Sequence, residues 1–103
     1  MPTEQPGYLV GNFMVTDPLL MAEYGKKATP LVQKYGGVMA LMNQSLSPVE
    51  GEAQPVLVII RFPSLKDAED FYQGPEYAPL KDLRIKATTG GFLALVSGLP
   101  INL

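Results

Sequence analysis

Histidine and cysteine are both absent from this chain. Without cysteine there are no disulfides, thiolate nucleophiles or thiolate metal ligands. With histidine gone as well, zinc, copper and histidine-ligated haem lose their usual ligands, so neither a metal nor a cofactor is expected. Any general base would have to be a carboxylate, a tyrosine or a lysine. Charge is sparse too: 17% of residues are charged, the net charge is -2, and the eight Lys and Arg are scattered. No basic stripe exists to follow a phosphate backbone, and nucleic acid is not an expected partner. Apolar runs are short, none longer than the five residues of Val56 to Ile60, far below the roughly 20 residues that cross a bilayer. The opening segment MPTEQPGYLV carries neither a basic region nor an apolar stretch of signal-peptide length. The expectation is a cytoplasmic protein with no membrane contact.

What is present is a regular alternation. At 103 residues and 47% hydrophobic composition the chain reads as one globular domain, long enough to bury roughly two-thirds of its unfolded surface. Lys34 to Met42 (KYGGVMALM) and Thr88 to Val96 (TTGGFLALV) nearly repeat each other, each a Gly-Gly pair expected to stop the preceding helix, followed by an apolar run. Each follows a segment of helical spacing that itself follows a strand-like run, which describes two β-α-β halves.

Residues 1–6, polar with two prolines, are expected to form a loose, flexible arm, and residues 7–103 the single domain. YLVGNFMV (8–15) is strand-like. Asp17 and Pro18 open a helix as its N-cap and first residue. Leu20, Tyr24, Ala28, Leu31 and Tyr35 share the face expected to cover a sheet. Pro30 predicts a kink between Lys26 and Pro30, and Gly36 a left-handed stop. A strand from Val38 to about Leu46 leads into the loop SPVEGEAQ, and Val56 to Phe62 is apolar enough for a central strand covered on both faces. Ser64 and Asp67 form a capping-box-like pair. Gly74-Pro75 breaks the helix that follows, a second helical piece spans Glu76 to Lys86, and after Gly90-Gly91 comes a last strand, Phe92 to Ser97.

The order is β-α-β-β-α-β with its second helix in two pieces, an α+β, ferredoxin-like chain. Right-handed crossovers place the helices on one face of a four-stranded antiparallel sheet. The strands carry apolar residues on both faces, so the other face is left bare. An apolar surface of that size predicts self-association, with a homodimer built through the bare sheet face.

Four stretches carry a family resemblance: GYLVGNFMVTDP (7–18), KYGGV (34–38), RFPSLKDAEDFYQGPEYAPLKDLR (61–84) and LVSGL (95–99). FPS, FY, GPEY and Arg84 in fixed order are the most specific part. Together they resemble the domain of unknown function 1330 family, within the dimeric α+β barrel superfamily, over nearly the whole chain. The resemblance implies a homodimer whose sheets face each other in a closed barrel, with a small pocket between sheet and helices in each protomer. The wider superfamily includes cofactor-free monooxygenases of aromatic polyketides, lactone isomerases, cyclases and haem enzymes. Against that pattern, Asn12 stands where relatives often carry histidine, Val38 where arginine is common and Arg61 where an acid is usual. Phe71 replaces a frequent tryptophan, and Ser97 an acid that often precedes the final glycine.

Arg84 leads the candidates for chemistry. Leu80 and Tyr77 lie four and seven residues before it, so it shares a helix face with apolar anchors. Its planar fork suits a carboxylate or enolate oxygen. The other role open to it is an ion pair with Glu76 or Asp17, or a bond to a helix-end carbonyl. Tyr77 and Tyr72 flank the Gly74-Pro75 break, either as donors to a developing oxyanion or as core aromatics with wet tips. Asn12, in mid-strand, needs its amide satisfied by neighbours or by a wet cavity. Arg84, Tyr77 and Asn12 are the catalytic candidates, and Tyr24, Tyr72 and Arg61 the substrate-binding ones. Glu50 and Glu52 fall in a loop and read as solvated. The two Gly-Gly pairs follow helices, the wrong side for a phosphate-binding loop.

Two functions fit these residues. One is a cofactor-free monooxygenase, isomerase or cyclase acting on a small apolar, aromatic or enolisable substrate that the protein desolvates and orients. The alternative is a non-catalytic module that binds a metabolite or serves assembly.

Overall fold

The structure, a computed structural model, describes residues 3–102, with side chains over residues 5–100. Strands β1 (Thr3–Glu4) and β6 (Ile101–Asn102) pair antiparallel as a short ribbon. Part of the segment expected as a loose arm is therefore tied to the far end of the chain, while Met1 and Pro2 lie outside the described residues. Between these strands run β2 (Gly7–Val15), α1 (Pro18–Lys34), β3 (Val38–Asn43), β4 (Val56–Phe62), α2 (Leu65–Gln73), α3 (Ala78–Ala87) and β5 (Thr88–Ser97). β3, β4, β2 and β5 lie in that order in one antiparallel sheet, which is the ferredoxin-like arrangement. No helix among the described residues is long and apolar enough to cross a membrane.

Local signals set the helix ends. The Asp17 carboxylate accepts from the Leu20 N–H at 3.1 Å, with Pro18 in the first turn. α1 continues through Pro30 to Lys34 as one helix. It ends in a Schellman closure: Gly36 takes φ +80°, its N–H donates to the Gln33 carbonyl at 3.0 Å, and the Gly37 N–H donates to the Val32 carbonyl at 2.9 Å. Ser64 Oγ accepts from the Asp67 N–H at 3.1 Å and donates to the Asp67 carboxylate at 3.0 Å, capping α2. The helical course breaks at Gly74-Pro75 and resumes at α3.

Two strand boundaries differ from those expected. β3 ends at Asn43, whose side-chain oxygen accepts from the Ser45 N–H at 2.8 Å and turns the chain before Leu46. Gly90-Gly91 is not a helix stop. Thr88 closes α3, and β5 runs straight through both glycines at φ 72° and 70°. They sit where the pairing of β5 with β2 shifts register between Asn12 and Met14. A Cβ on Gly91 would overlap the Asn12 carbonyl, so the bulge needs glycine there.

Leu9 and Phe13 of β2, Val58 and Phe62 of β4, and Phe71 and Tyr77 from the helical side form the centre of the core. α2 lies tight on the sheet because Gly7, lacking a side chain, lets the backbone at Ser64 and Leu65 approach. α1 behaves differently. Its stripe was expected to cover the sheet, yet it leans on the other helices, with Tyr35 edge-on to Phe71 at 6.2 Å and Tyr24 edge-on to Tyr77 at 6.4 Å. Space is left between α1 and the strands.

β4 is internal to the sheet, but within the chain only one of its faces is covered. Val56, Val58, Ile60 and Phe62 are buried, whereas Leu57 and Ile59 are half-buried and Arg61 is exposed. By register Tyr8, Val10 and Asn12 share that outer face with Arg61, Ile59 and Leu57 on one side and with Val96, Ala94 and Phe92 on the other. Phe92 (55%) and Val96 (43%) remain largely open to solvent, so the face is apolar and bare.

Candidate functional site

The space under α1 is a cavity of about 1120 Å³. Leu9, Phe13, Val58 and Ile60 form its sheet side, Met21, Gly25, Ala28 and Val32 its helix side, and Met39 and Met42 of the edge strand lie at its rim. Met39 and Met42 are about half exposed, so the rim is open. The cavity has a simple steric origin. Gly25 and Ala28 put almost no bulk on the inner face of α1, and a Cβ at Gly25 would meet nothing within 4 Å. Met21, Gly25, Ala28 and Val32 recur at spacings of four, three and four, a second stripe beside the one through Tyr24 and Leu31. That stripe, with two small residues at its centre, is the sequence signal for the cavity, overshadowed by the larger residues of the neighbouring stripe.

One end of this apolar space is polar. Arg84 of α3 and Tyr24 of α1 line it, and they are the ionisable side chains among its lining residues. Behind them Tyr77 is completely buried, at 0% exposure. The Tyr77 and Tyr24 hydroxyls lie 2.9 Å apart. Arg84 Nε donates to the Tyr77 hydroxyl at 3.2 Å. The Tyr77 ring is held by Phe71 at 4.9 Å and Tyr72 at 5.2 Å between centroids, so the hydroxyl has little freedom to move. Burial raises the pKa of Tyr24 well above the ordinary tyrosine value, the nearby Tyr77 raises it further, and Arg84 opposes both. Tyr24 is a phenol, not a phenolate, at any ordinary pH.

The carboxylates considered as partners for Arg84 are engaged elsewhere. Glu76 accepts from Lys34 Nζ at 2.7 Å, and Asp17 caps α1. Among the described residues no salt bridge reaches Arg84. Its Nε is used by Tyr77, and its two terminal nitrogens have no hydrogen-bond acceptor among the described side chains or backbone.

Of the six candidate residues, Arg84, Tyr77 and Tyr24 are brought together, and the other three are not. Asn12 Nδ2 donates to the carbonyls of Gln54 (2.9 Å) and Val56 (2.8 Å), while its Oδ1 accepts from the Gln54 N–H at 3.0 Å. Its amide is spent on backbone, away from the cavity lining. Tyr72 packs behind Tyr77 with Lys81 Nζ 5.2 Å over its ring, also outside the lining. Arg61 stands on the outer face of the sheet, opposite the cavity, because its register partner is Tyr8 and not Leu9. Among the described residues no cluster of three or more His, Cys, Asp or Glu is placed to hold a metal.

Comparison with known proteins adds a family and a fold. The model of the domain of unknown function DUF1330 matches residues 6–99. No protein of curated function matches the chain significantly. Among solved structures, a protein of unknown function from Rhodopseudomonas palustris is 18% identical, with a TM-score of 0.69 over 93% of this chain and 84% of that one. A dimeric protein of unknown function and ferredoxin-like fold from Bacteroides fragilis is 15% identical, with a TM-score of 0.55 over 89% and 94%. A putative antibiotic biosynthesis monooxygenase from Nitrosomonas europaea is 10% identical, with a TM-score of 0.56 over 96% and 94%.

Proposed function

The chain belongs to the DUF1330 family, whose name assigns no chemistry, and from its own geometry we propose that it is a homodimeric protein binding a small, largely apolar molecule under α1. The observation that carries this is Arg84. A guanidinium whose terminal nitrogens have no acceptor among the described residues, on the lining of an apolar cavity of about 1120 Å³, is a prepared site for an oxygen-bearing ligand.

The reaction that suits such a site is one in which the substrate supplies the reactivity. An enolisable or aromatic molecule held in the cavity loses water from its apolar body, while Arg84 and the Tyr24 hydroxyl steady negative charge as it develops on an oxygen. Cofactor-free oxygenation, isomerisation and cyclisation all meet that description. The fold shared with the Nitrosomonas europaea protein supports this reading by analogy only. The bare apolar sheet face supports the homodimer, as does the dimeric state of the Bacteroides fragilis protein.

A second reading, a non-catalytic binder, is favoured by one observation. Among the described residues no carboxylate or lysine lines the cavity, and the pKa of the tyrosine there, Tyr24, is raised by burial so that it stays protonated, which leaves no general base facing a ligand.

The test is a thermal-shift screen against planar aromatics, enolisable ketones, lactones and short fatty acids, after the dimeric mass has been established. A ligand at 100 times its dissociation constant stabilises by about 2.7 kcal/mol, which is several degrees for a domain of this size. A reproducible hit leads to assays of oxygen uptake and isomerisation. A hit that is returned unchanged in both favours the binder, and silence across the panel overturns the cavity as a ligand site.

A further inference from the structure

The hydroxyl chain behind the cavity has a direction. Tyr77 is fully buried, and its oxygen touches two polar groups, Arg84 Nε and the Tyr24 hydroxyl. Nε can only donate, so the Tyr77 oxygen accepts from it. The Tyr77 proton then has one acceptor in reach, the Tyr24 oxygen at 2.9 Å, and pointed anywhere else it would be buried without a partner. Distance alone leaves the Tyr24–Tyr77 bond ambiguous, and Arg84 resolves it. Because Tyr77 donates to Tyr24, the Tyr24 proton is turned away from Tyr77 toward the cavity that Tyr24 lines. The terminal nitrogens of Arg84 present only N–H groups to the same space. Arg84 and Tyr24 therefore both turn N–H or O–H groups to this end of the cavity, where the Tyr24 oxygen keeps one lone pair, and one of the two groups is cationic.

Building on the reading of the cavity as a ligand site, we infer that it selects an anionic oxygen head, a carboxylate or an enolate, on an apolar body, and rejects neutral and cationic heads. The head lies against Arg84 and Tyr24, and the body against Met21, Val32, Met39 and Ile60. A hydroxyl head gains only neutral-acceptor hydrogen bonds from Arg84, weaker than those of an anionic oxygen, and the remaining Tyr24 lone pair is its acceptor. An ammonium head meets donors and a like charge. Tyr77 does not line the cavity and acts as a positioning residue that sets the sense of the chain.

The experiment is calorimetric titration of the full chain with four probes of similar length: decanoate, nonane-2,4-dione at a pH where its enolate is populated, decanol and decylamine, each below its aggregation concentration. Decanoate or the dione should bind at least about tenfold more tightly than decanol, the discrimination expected for a hydrogen-bonded charged head, and decylamine should bind more weakly still. The tighter of the two anions identifies the head as carboxylate or enolate. Tyr77→Phe keeps the ring and removes the hydroxyl that orients Arg84 and Tyr24. It should weaken anion binding more than decanol binding, so that the preference for the anion over decanol falls by roughly threefold or more. Gly25→Leu fills the cavity and should abolish all binding.

The outcomes separate the two readings. If no probe binds the unaltered protein, the cavity reading itself fails and this inference falls with it. If decanol or decylamine binds as tightly as the anions and Gly25→Leu abolishes all of them, the cavity stands and the preference for an anionic head is overturned. An unchanged preference in Tyr77→Phe overturns the directed hydroxyl chain.

Discussion

Asn12 of β2 and Gln54, in the loop before β4, exchange two hydrogen bonds: Asn12 Nδ2 donates to the Gln54 carbonyl at 2.9 Å, and the Gln54 N–H donates to Asn12 Oδ1 at 3.0 Å. The side-chain amide thus imitates a strand residue and extends the ladder one step beyond Val56, whose carbonyl it also takes at 2.8 Å. Asn12→Ala leaves these backbone groups without partners at the start of a central strand. A loss of about 2–4 kcal/mol is expected in urea unfolding. Asn12→Asp should lose as much, because it sets an acceptor against two carbonyls. In both variants ligand affinity per folded molecule should be unchanged, since Asn12 does not line the cavity. A variant that unfolds normally but no longer binds ligand would return Asn12 to the site.

The two glycines of the β5 bulge should differ sharply. Gly90 and Gly91 have nearly the same positive φ, 72° and 70°, so alanine at either carries about 1–2 kcal/mol of left-handed strain. At Gly90 the new methyl meets only the Gln54 side chain at 3.1 Å, which can swing aside. At Gly91 it overlaps the Asn12 carbonyl, and the strand pair must part. Gly91→Ala should therefore cost more than twice as much as Gly90→Ala in urea unfolding. Equal midpoints would mean that the bulge relaxes freely.

Removing the Arg84 side chain should separate binding from stability. In Arg84→Ala the Tyr77 hydroxyl keeps Tyr24 as a partner, and no carboxylate is left behind, because none was paired. The expected stability loss is at most about 1 kcal/mol, while binding in the cavity should be lost. Differential scanning calorimetry and titration with any ligand found by the screen check both halves. A large fall in melting temperature would assign Arg84 to the fold and not to the site.

The outer sheet face should hold the proposed homodimer together. Val96 and Phe92 lie exposed in one row of β5, 43% and 55% open. Val96→Lys places a cation in what would be an apolar interface, where an unpaired charge costs several kcal/mol. Sedimentation or light scattering should show the variant as a monomer beside a dimeric parent. If the mass of the variant does not change, the interface lies on another surface.

How much was legible depended on how far each residue acts. Asp17, Ser64 and Gly36 work within a few residues of themselves, and the helix ends they predict are the ones observed. Gly90-Gly91 looks the same in sequence as Gly36-Gly37, yet one pair forms a strand bulge and the other ends a helix. The difference comes from Asn12, distant in sequence, whose carbonyl occupies the space beside Gly91. Tyr77, Leu80 and Arg84 could be placed on one helix face by counting, but the Tyr24 hydroxyl reaches Tyr77 from another helix.

Alternation along β2 determined by itself that Tyr8 and Val10 lie on one face and Leu9 on the other, because a strand has period two whatever surrounds it, while the register that sets Arg61 beside Tyr8 came from the pairing of β2 with β4. Hydrophobic spacing likewise determined the order of helices and strands, and with it the ferredoxin-like fold. Only the tertiary structure decided which face met the helices, that α1 would lean on α3 and leave a cavity, and that Arg84 would face it without a carboxylate. Those outcomes depend on how small residues such as Gly25 and Gly7 space whole elements apart or together, and on which donor reaches which acceptor first. Both are properties of three-dimensional packing between segments far apart in the chain, which local periodicity does not contain.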